Sequence, residues 1–249
     1  MNNIQKTSDL FFPTIKNVTK DIKTNSHILM LKAGIIRQTA TGIYTLLPLG
    51  LLSLNKLQNI IKNILKEINC QEILMPILQP KDLWDNTKRW DKYGEQLFKL
   101  VDRNKRQFCL GPTHEEIVTN LFKFNIFKYK QLPIILYQIQ TKFRDEYRPK
   151  SGLIRAREFL MKDAYSFHMN KKCLNNTYNN IRNAYIKILK IFNLNYKIVI
   201  ADSGTIGGNL SEEFHIISNC GEDNIAISNK SCFAAKIEMG FLASKISSN

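Results

Sequence analysis

Between positions 144 and 159 the chain places Arg144, Glu146, Arg155 and Phe159. Each residue type suits one part of a nucleotide. A guanidinium presents a planar fork of donors that matches phosphate or carboxylate oxygens. An aromatic ring offers a face on which a base can stack, and a carboxylate beside them can only accept. Two guanidinium groups, a carboxylate and a ring on one floor would therefore suit a nucleoside triphosphate. A second polar group lies upstream in Gly-Pro-Thr-His-Glu-Glu, where Thr113 and Glu115 stand two residues apart.

The elements that must position these groups are legible around them. PIILYQIQTKF, ending at Phe143, and EFLMKDAYSF, starting at Glu158, are apolar, β-prone runs, and Pro149, Lys150, Ser151 and Gly152 between them supply turn chemistry. The reading is an antiparallel hairpin with a charged tip. Side chains alternate along a strand, so Arg144 and Glu146 share a face, as do Arg155, Arg157 and Phe159 on the return. Thr113 followed by Glu116 has the spacing of a capping box opening a helix. That accounts for Thr113 and Glu116 but leaves Glu115 unexplained.

Taken in order, residues 1–25 read as a polar arm and Ser26–Gln38 as a short amphipathic helix. Gly42, Pro48 and Gly50 punctuate a loop. A long helix runs from Leu51 to Ile68 on helically spaced Leu and Ile, then a strand around Pro76. Short strands at 97–101 and 107–110 flank the turn DRNKR. After the hairpin come a second amphipathic helix over 172–193, the strand YKIVIAD, and a Gly-rich turn running into another strand. Gly204, Gly207 and Gly208 are too irregular for a dinucleotide or P-loop fingerprint. The fold class is α/β, a mostly antiparallel sheet flanked by helices.

Composition bounds the partners. The net charge of +15 is compatible with nucleic acid, but Lys outnumbers Arg 27 to 9, as in a chain enriched in Lys throughout. Five cysteines lack a C-x-x-C pair and four histidines lack H-E-x-x-H, which excludes a recognisable zinc site or disulfide framework. A reduced cytoplasmic setting fits. No run approaches 18 apolar residues, and no secretory leader is readable.

Phe-Arg-Asp-Glu, a loop, and Arg-x-x-x-Phe resemble motif 2 of the class II aminoacyl-tRNA synthetases. The wider text, TKFRDEYRP and REFLMKDAYSFH, is similar to the bacterial prolyl branch of that family. The resemblance implies two-step chemistry on ATP with Mg2+, L-proline and the tRNA for proline. Arg144 and Arg155 would be the catalytic cations, and Arg144, Glu146, Arg155 and Phe159 the ATP floor. Thr113, Glu115, Arg144 and Glu212 would face proline, Arg148 the tRNA acceptor end, and Glu213 would be a metal ligand. Residues 42–80 look like motif 1, which in the family forms a homodimer interface.

Departures are local. Asn69-Cys70-Gln71 stands where the family has Gly and small residues; Asn209 stands for Ser, Glu212 for His and His215 for Gln. The resemblance covers about 8–238, with residues 26–228 as catalytic core and 229–249 as a tail where an editing insertion would begin. The last arginine is Arg182, so motif 3, a Gly-rich segment ending in Arg, is expected outside this chain. The alternative is a synthetase-like remnant that dimerises or holds tRNA without charging it.

Overall fold

The computed structural model describes residues 6–126, 128–201, 211–228 and 234–237. The chain divides into two units, Met1–Ala184 and Tyr185–Asn249.

In the first unit the arm is tied down: the Ile15 N–H donates to Lys32 O, and Arg37 donates to Pro13 O. Helix α1 (Asn25–Lys32) is shorter than its periodicity suggests, because the chain turns at Gly34 with φ +64°. Beyond that turn β1 (Ile36–Ala40) and β2 (Ile43–Leu46) form an antiparallel hairpin, where a helix end and a loop were expected. Its Ile, Thr and Tyr are strand formers. Helix α2 (Pro48–Glu67) begins at Pro48, earlier than expected, since a missing N–H costs nothing at the first helical position.

The strand expected around Pro76 is divided. β3 (Gln71–Glu72) joins one sheet and β4 (Leu78–Pro80) another, with irregular chain between them. Pro76 has no N–H for a ladder, and side chains serve the freed backbone: Met75 N–H donates to Gln138 Oε1 at 3.0 Å, and Pro76 O lies 3.0 Å from His114 Nε2. Two short helices, α3 (Lys81–Asn86) and α4 (Arg89–Lys92), precede β5 (Lys99–Val101) and β6 (Gln107–Leu110). β4, β6 and β5 form an antiparallel sheet in that order, over a core of Trp84, Trp90, Leu97 and Cys109.

Helix α5 (Glu115–Asn125) leads to the long hairpin of β7 (Ile134–Phe143) and β8 (Glu158–Phe167), paired without interruption from Ile134↔Phe167 to Phe143↔Glu158. β3 adds in parallel at the free edge of β7. One face buries Ile135 and Tyr137 against Leu65 and Cys70, with Ile61 of α2 and Ile181 of α6 (Lys171–Ile191) packed alongside. Those helices cover the sheet because their apolar stripes recur at helical spacing.

The second unit takes the end of α6 and a four-stranded sheet in the order β10 (Glu212–Ile216), β9 (Tyr196–Ile200), β12 (Ala234–Lys236), β11 (Ile225–Ile227). Phe214 meets Tyr185 edge-on at 5.7 Å and Tyr196 at 6.0 Å. The Gly-rich turn, including Asn209, lies outside the described residues. Both units are antiparallel sheets with helices, apart from the parallel pairs β3–β7 and β12–β9. Among the described residues no helix is long and apolar enough to cross a membrane.

Candidate active site

β7 delivers Arg144 one residue beyond its end, where the Arg144 N–H still donates to Arg157 O at 2.9 Å. The guanidinium lies 5.5 Å over the Phe159 ring and reaches Pro112 O through Nη2 at 3.5 Å. Its Nε is buried with no hydrogen-bond partner among the described residues. A buried donor left over in this way fits an anionic ligand that brings its own acceptors.

Glu146 comes next, its carboxylate 2.9 Å from Arg155 Nη2. The hydrogen bond from Arg155 holds the Glu146 carboxyl below its usual range, against a small opposing effect of burial. Arg155 and Arg157 do not lie on the returning strand as expected. Ser151 and Gly152 take positive φ, the turn Gly152–Ile154 uses up the next residues, and the ladder resumes only at Glu158. Arg157 instead faces Asp145 at 3.6 Å and donates to Glu146 O at 3.0 Å, so it holds the tip's backbone together. Arg148 is exposed at the tip, 5.4 Å over the ring of Tyr147.

Thr113 and Glu115 come together: Thr113 Oγ1 donates to Glu115 Oε2. The expected capping box is absent. His114 is the residue before α5 and makes no side-chain cap, while Glu116 turns away to Arg89 at 2.8 Å and accepts from Thr87 Oγ1 at 3.1 Å. There it gains a charge-assisted bond to the guanidinium and a second from the hydroxyl. Arg89 also reaches Glu115 at 3.4 Å and lies over Trp84 at 5.3 Å and Tyr93 at 5.9 Å. Burial opposes its charge, but the two glutamates outweigh that and hold it above its usual range. Burial also raises Tyr93, opposed by the charges of Arg144 and Arg89, so this ring borders both arginines.

Beneath these groups lies a buried polar layer that the sequence did not announce. Gln138, Gln140 and Lys142 share one face of β7, and Gln138, Lys142 and His114 are wholly buried. Lys142 Nζ meets Asp163 Oδ1 at 3.0 Å and His114 Nδ1 at 2.7 Å. Asp163 Oδ2 accepts from Tyr165 at 2.6 Å and from Gln138 at 3.0 Å, and Tyr165 Oη accepts the His114 N–H. Gln79 binds Thr113 O and takes the Trp84 indole N–H. The backbone around Thr113 therefore rests on a network with few free partners. Arg89 is likewise a residue that sequence reasoning missed; its partners are 26 and 27 positions away, and only the Arg-Trp text between charges hinted at it.

Glu212 and Glu213 belong to the second unit, on β10. Glu213 does not fit the metal-ligand role expected of it: its Oε2 is engaged by His215 Nε2 at 2.7 Å and Lys236 Nζ at 3.0 Å. A lysine cation and an imidazole nitrogen already engage that oxygen. Among the described residues no group of three or more His, Cys, Asp or Glu assembles for a metal.

Comparison with known proteins is consistent across sequence and structure. Residues 98–246 match the family described as the tRNA synthetase class II core domain (G, H, P, S and T). A proline–tRNA ligase of Vesicomyosocius okutanii is 52% identical over 233 residues, 94% of this chain and 42% of the relative. One from Geobacillus kaustophilus is 52% identical over 232 residues, covering 93% and 41%. The chain thus spans about two-fifths of the length of these relatives. The Giardia lamblia prolyl-tRNA synthetase, solved in complex with prolyl-adenylate, aligns with a TM-score of 0.70 at 19% identity, over 78% of this chain and 40% of that one. The Cryptosporidium parvum enzyme, solved with halofuginone and AMPPNP, aligns at 0.67 and 20% identity, over 75% and 38%. With the motif 2 hairpin, the antiparallel sheets and these matches in hand, the chain belongs to the class II tRNA synthetase core-domain family.

Proposed function

We propose that this chain carries the amino-acid activation site of a proline–tRNA ligase. The observation that carries the reading is the position of Arg144, which touches the Phe159 ring on one side and Pro112, next to Thr113, on the other. One guanidinium thereby adjoins both a nucleotide floor and an ammonium site. In the first step a carboxylate oxygen of proline attacks the α-phosphorus of ATP, and the bond to pyrophosphate breaks. In the second a hydroxyl of the terminal adenosine of the tRNA attacks the acyl carbon, and AMP leaves.

Such chemistry is mostly positioning and charge stabilisation. Arg144 bridges the α-phosphate and proline's carboxylate as they meet. Arg155 leaves Glu146 for the distal phosphates, which frees the Glu146 carboxylate to accept from the adenine amino group. Phe159 stacks on the base once the Arg144 guanidinium has moved toward phosphate. Thr113 and Glu115 hold the ammonium, and Glu212 stands where the family's His lies against proline. The attacking carboxylate is already ionised, so no general base is required. Arg148 and the exposed Tyr147 meet the acceptor end of the tRNA for proline. Magnesium would arrive with the nucleotide's phosphates. A homodimer through 42–80 is supported by exposed Leu51, Leu52, Leu57, Leu74 and Leu78. The setting proposed is the cytoplasm.

Calorimetric titration of the chain with ATP and with each of glycine, histidine, proline, serine and threonine tests the reading. Proline is expected to bind, and the other four to bind far more weakly. Failure to bind proline, or equal uptake of all five, overturns it.

A further inference from the structure

Glu115 shares its guanidinium with Glu116, and Glu116 has the larger share. Arg89 Nη1 lies 2.8 Å from Glu116 Oε1 but 3.4 Å from Glu115 Oε2. The Glu116 side chain is 1% exposed and that of Glu115 31%. The guanidinium lies over both Trp84 and Tyr93, which meet each other edge-on, and the Thr87 hydroxyl donates to Glu116 Oε1. Both glutamates sit in the first turn of α5, where the helix dipole favours carboxylates.

Counting formal charges, one guanidinium and two carboxylates leave one negative charge, and the geometry leaves it on the more exposed Glu115. Left alone with Glu115, Arg89 would close on it in a two-bond fork and cancel it. We infer that Arg89 and Glu116 form a specificity-determining pair: Glu116 occupies the guanidinium, so that Glu115 is oriented by Arg89 but keeps its charge for the substrate's secondary ammonium. This rests on the reading of Glu115 as the ammonium's partner. Binding of the ammonium then brings the cluster to neutrality. A ring of the same shape without the cation leaves a carboxylate facing an ether oxygen, two acceptors with no proton between them.

The test compares L-proline with tetrahydrofuroate, in which a ring oxygen replaces the ring ammonium, on the full chain and on Glu116→Gln. The amide keeps the side chain's shape and can still accept from Thr87. In Glu116→Gln the preference for proline over tetrahydrofuroate is expected to fall about tenfold, with tetrahydrofuroate and ATP binding unchanged. Equal loss for both ring acids, or an unchanged preference, overturns the inference. A measurement on the unmodified chain decides the matter if the variant does not fold. The Arg89 guanidinium resonances should shift on saturation with proline as Glu115 turns to the ammonium, and stay in place with tetrahydrofuroate. Shifts alike for both ligands overturn it too. A chain that binds no proline at all defeats the functional reading, and this inference with it. One that binds proline and keeps its preference in Glu116→Gln defeats the inference alone.

Discussion

Lys142 Nζ lies 2.7 Å from His114 Nδ1, and both side chains are wholly buried. An ammonium can only donate, so Nδ1 accepts, the proton of the neutral ring sits on Nε2, and Nε2 donates to Pro76 O. Burial and the adjacent Lys142 charge lower His114 to about 4. The unfolded chain, with an ordinary histidine, therefore binds more protons between about pH 6.5 and pH 4. Stability from this residue is complete above that window and is lost as pH falls through it, by about 3 kcal/mol in all. Histidine-detected NMR should find His114 neutral, in the Nε2–H form, at pH 5.5. An imidazolium there would contradict the assignment.

Replacing Lys142 with Met strands Asp163 as a buried carboxylate and leaves His114 Nδ1 without a donor. Breaking one side of such a pair costs about 3–5 kcal/mol. Adding Asp163→Asn should recover a large part, since the uncompensated charge is gone and the amide still serves Tyr165 and Gln138. Urea midpoints of the single and double variants decide this; a single variant as stable as the parent would mean the pair contributes nothing.

At Arg144 the shape of the cation matters as much as its charge. Arg144→Lys keeps the charge and loses the fork, and ATP binding should weaken by roughly 1.5–3 kcal/mol. Arg103→Lys, in the exposed turn between β5 and β6, should leave ATP binding unaltered. Equal effects at the two positions would refute the nucleotide floor.

In the proposed reading, Glu212 takes the position of a His that lies against proline in the prolyl family. A carboxylate is charged and acceptor-only, whereas a neutral imidazole can pack beside an apolar ring and donate one hydrogen bond. Glu212→His is expected to lower the dissociation constant for proline without altering that for ATP. A constant that is unchanged or higher would show that this chain holds proline by other means.

The hairpin was legible because ten alternating residues on each side and a Pro-Lys-Ser-Gly tip leave little freedom of register. The far face of β7 was not legible. Gln138, Gln140 and Lys142 are buried because the Thr113 segment and the irregular chain at Met75–Pro76 lie over them, and nothing local marks that. Pairing across 21 to 65 positions leaves no periodic trace. The positions of Arg155 and Arg157 were misread for a related reason, since two residues with positive φ shift the chain out of extended alternation before β8 begins. Arg144, Glu146 and Phe159 were readable because each lies close to a strand end or on the strand itself.

The contact between α1 and the hairpin tip has a mechanical meaning. A Cβ at Gly152 would come within 2.8 Å of His27 Cγ, and Ser151 Oγ accepts from Thr24 Oγ1 at 3.0 Å. Gly152 also sits at φ +66°, so any side chain there would be strained as well as crowded. The tip is thus hinged to a helix more than a hundred positions upstream. Any swing of the tip's backbone at Ser151–Gly152 must either carry α1 along as one lever or first unlatch it at His27.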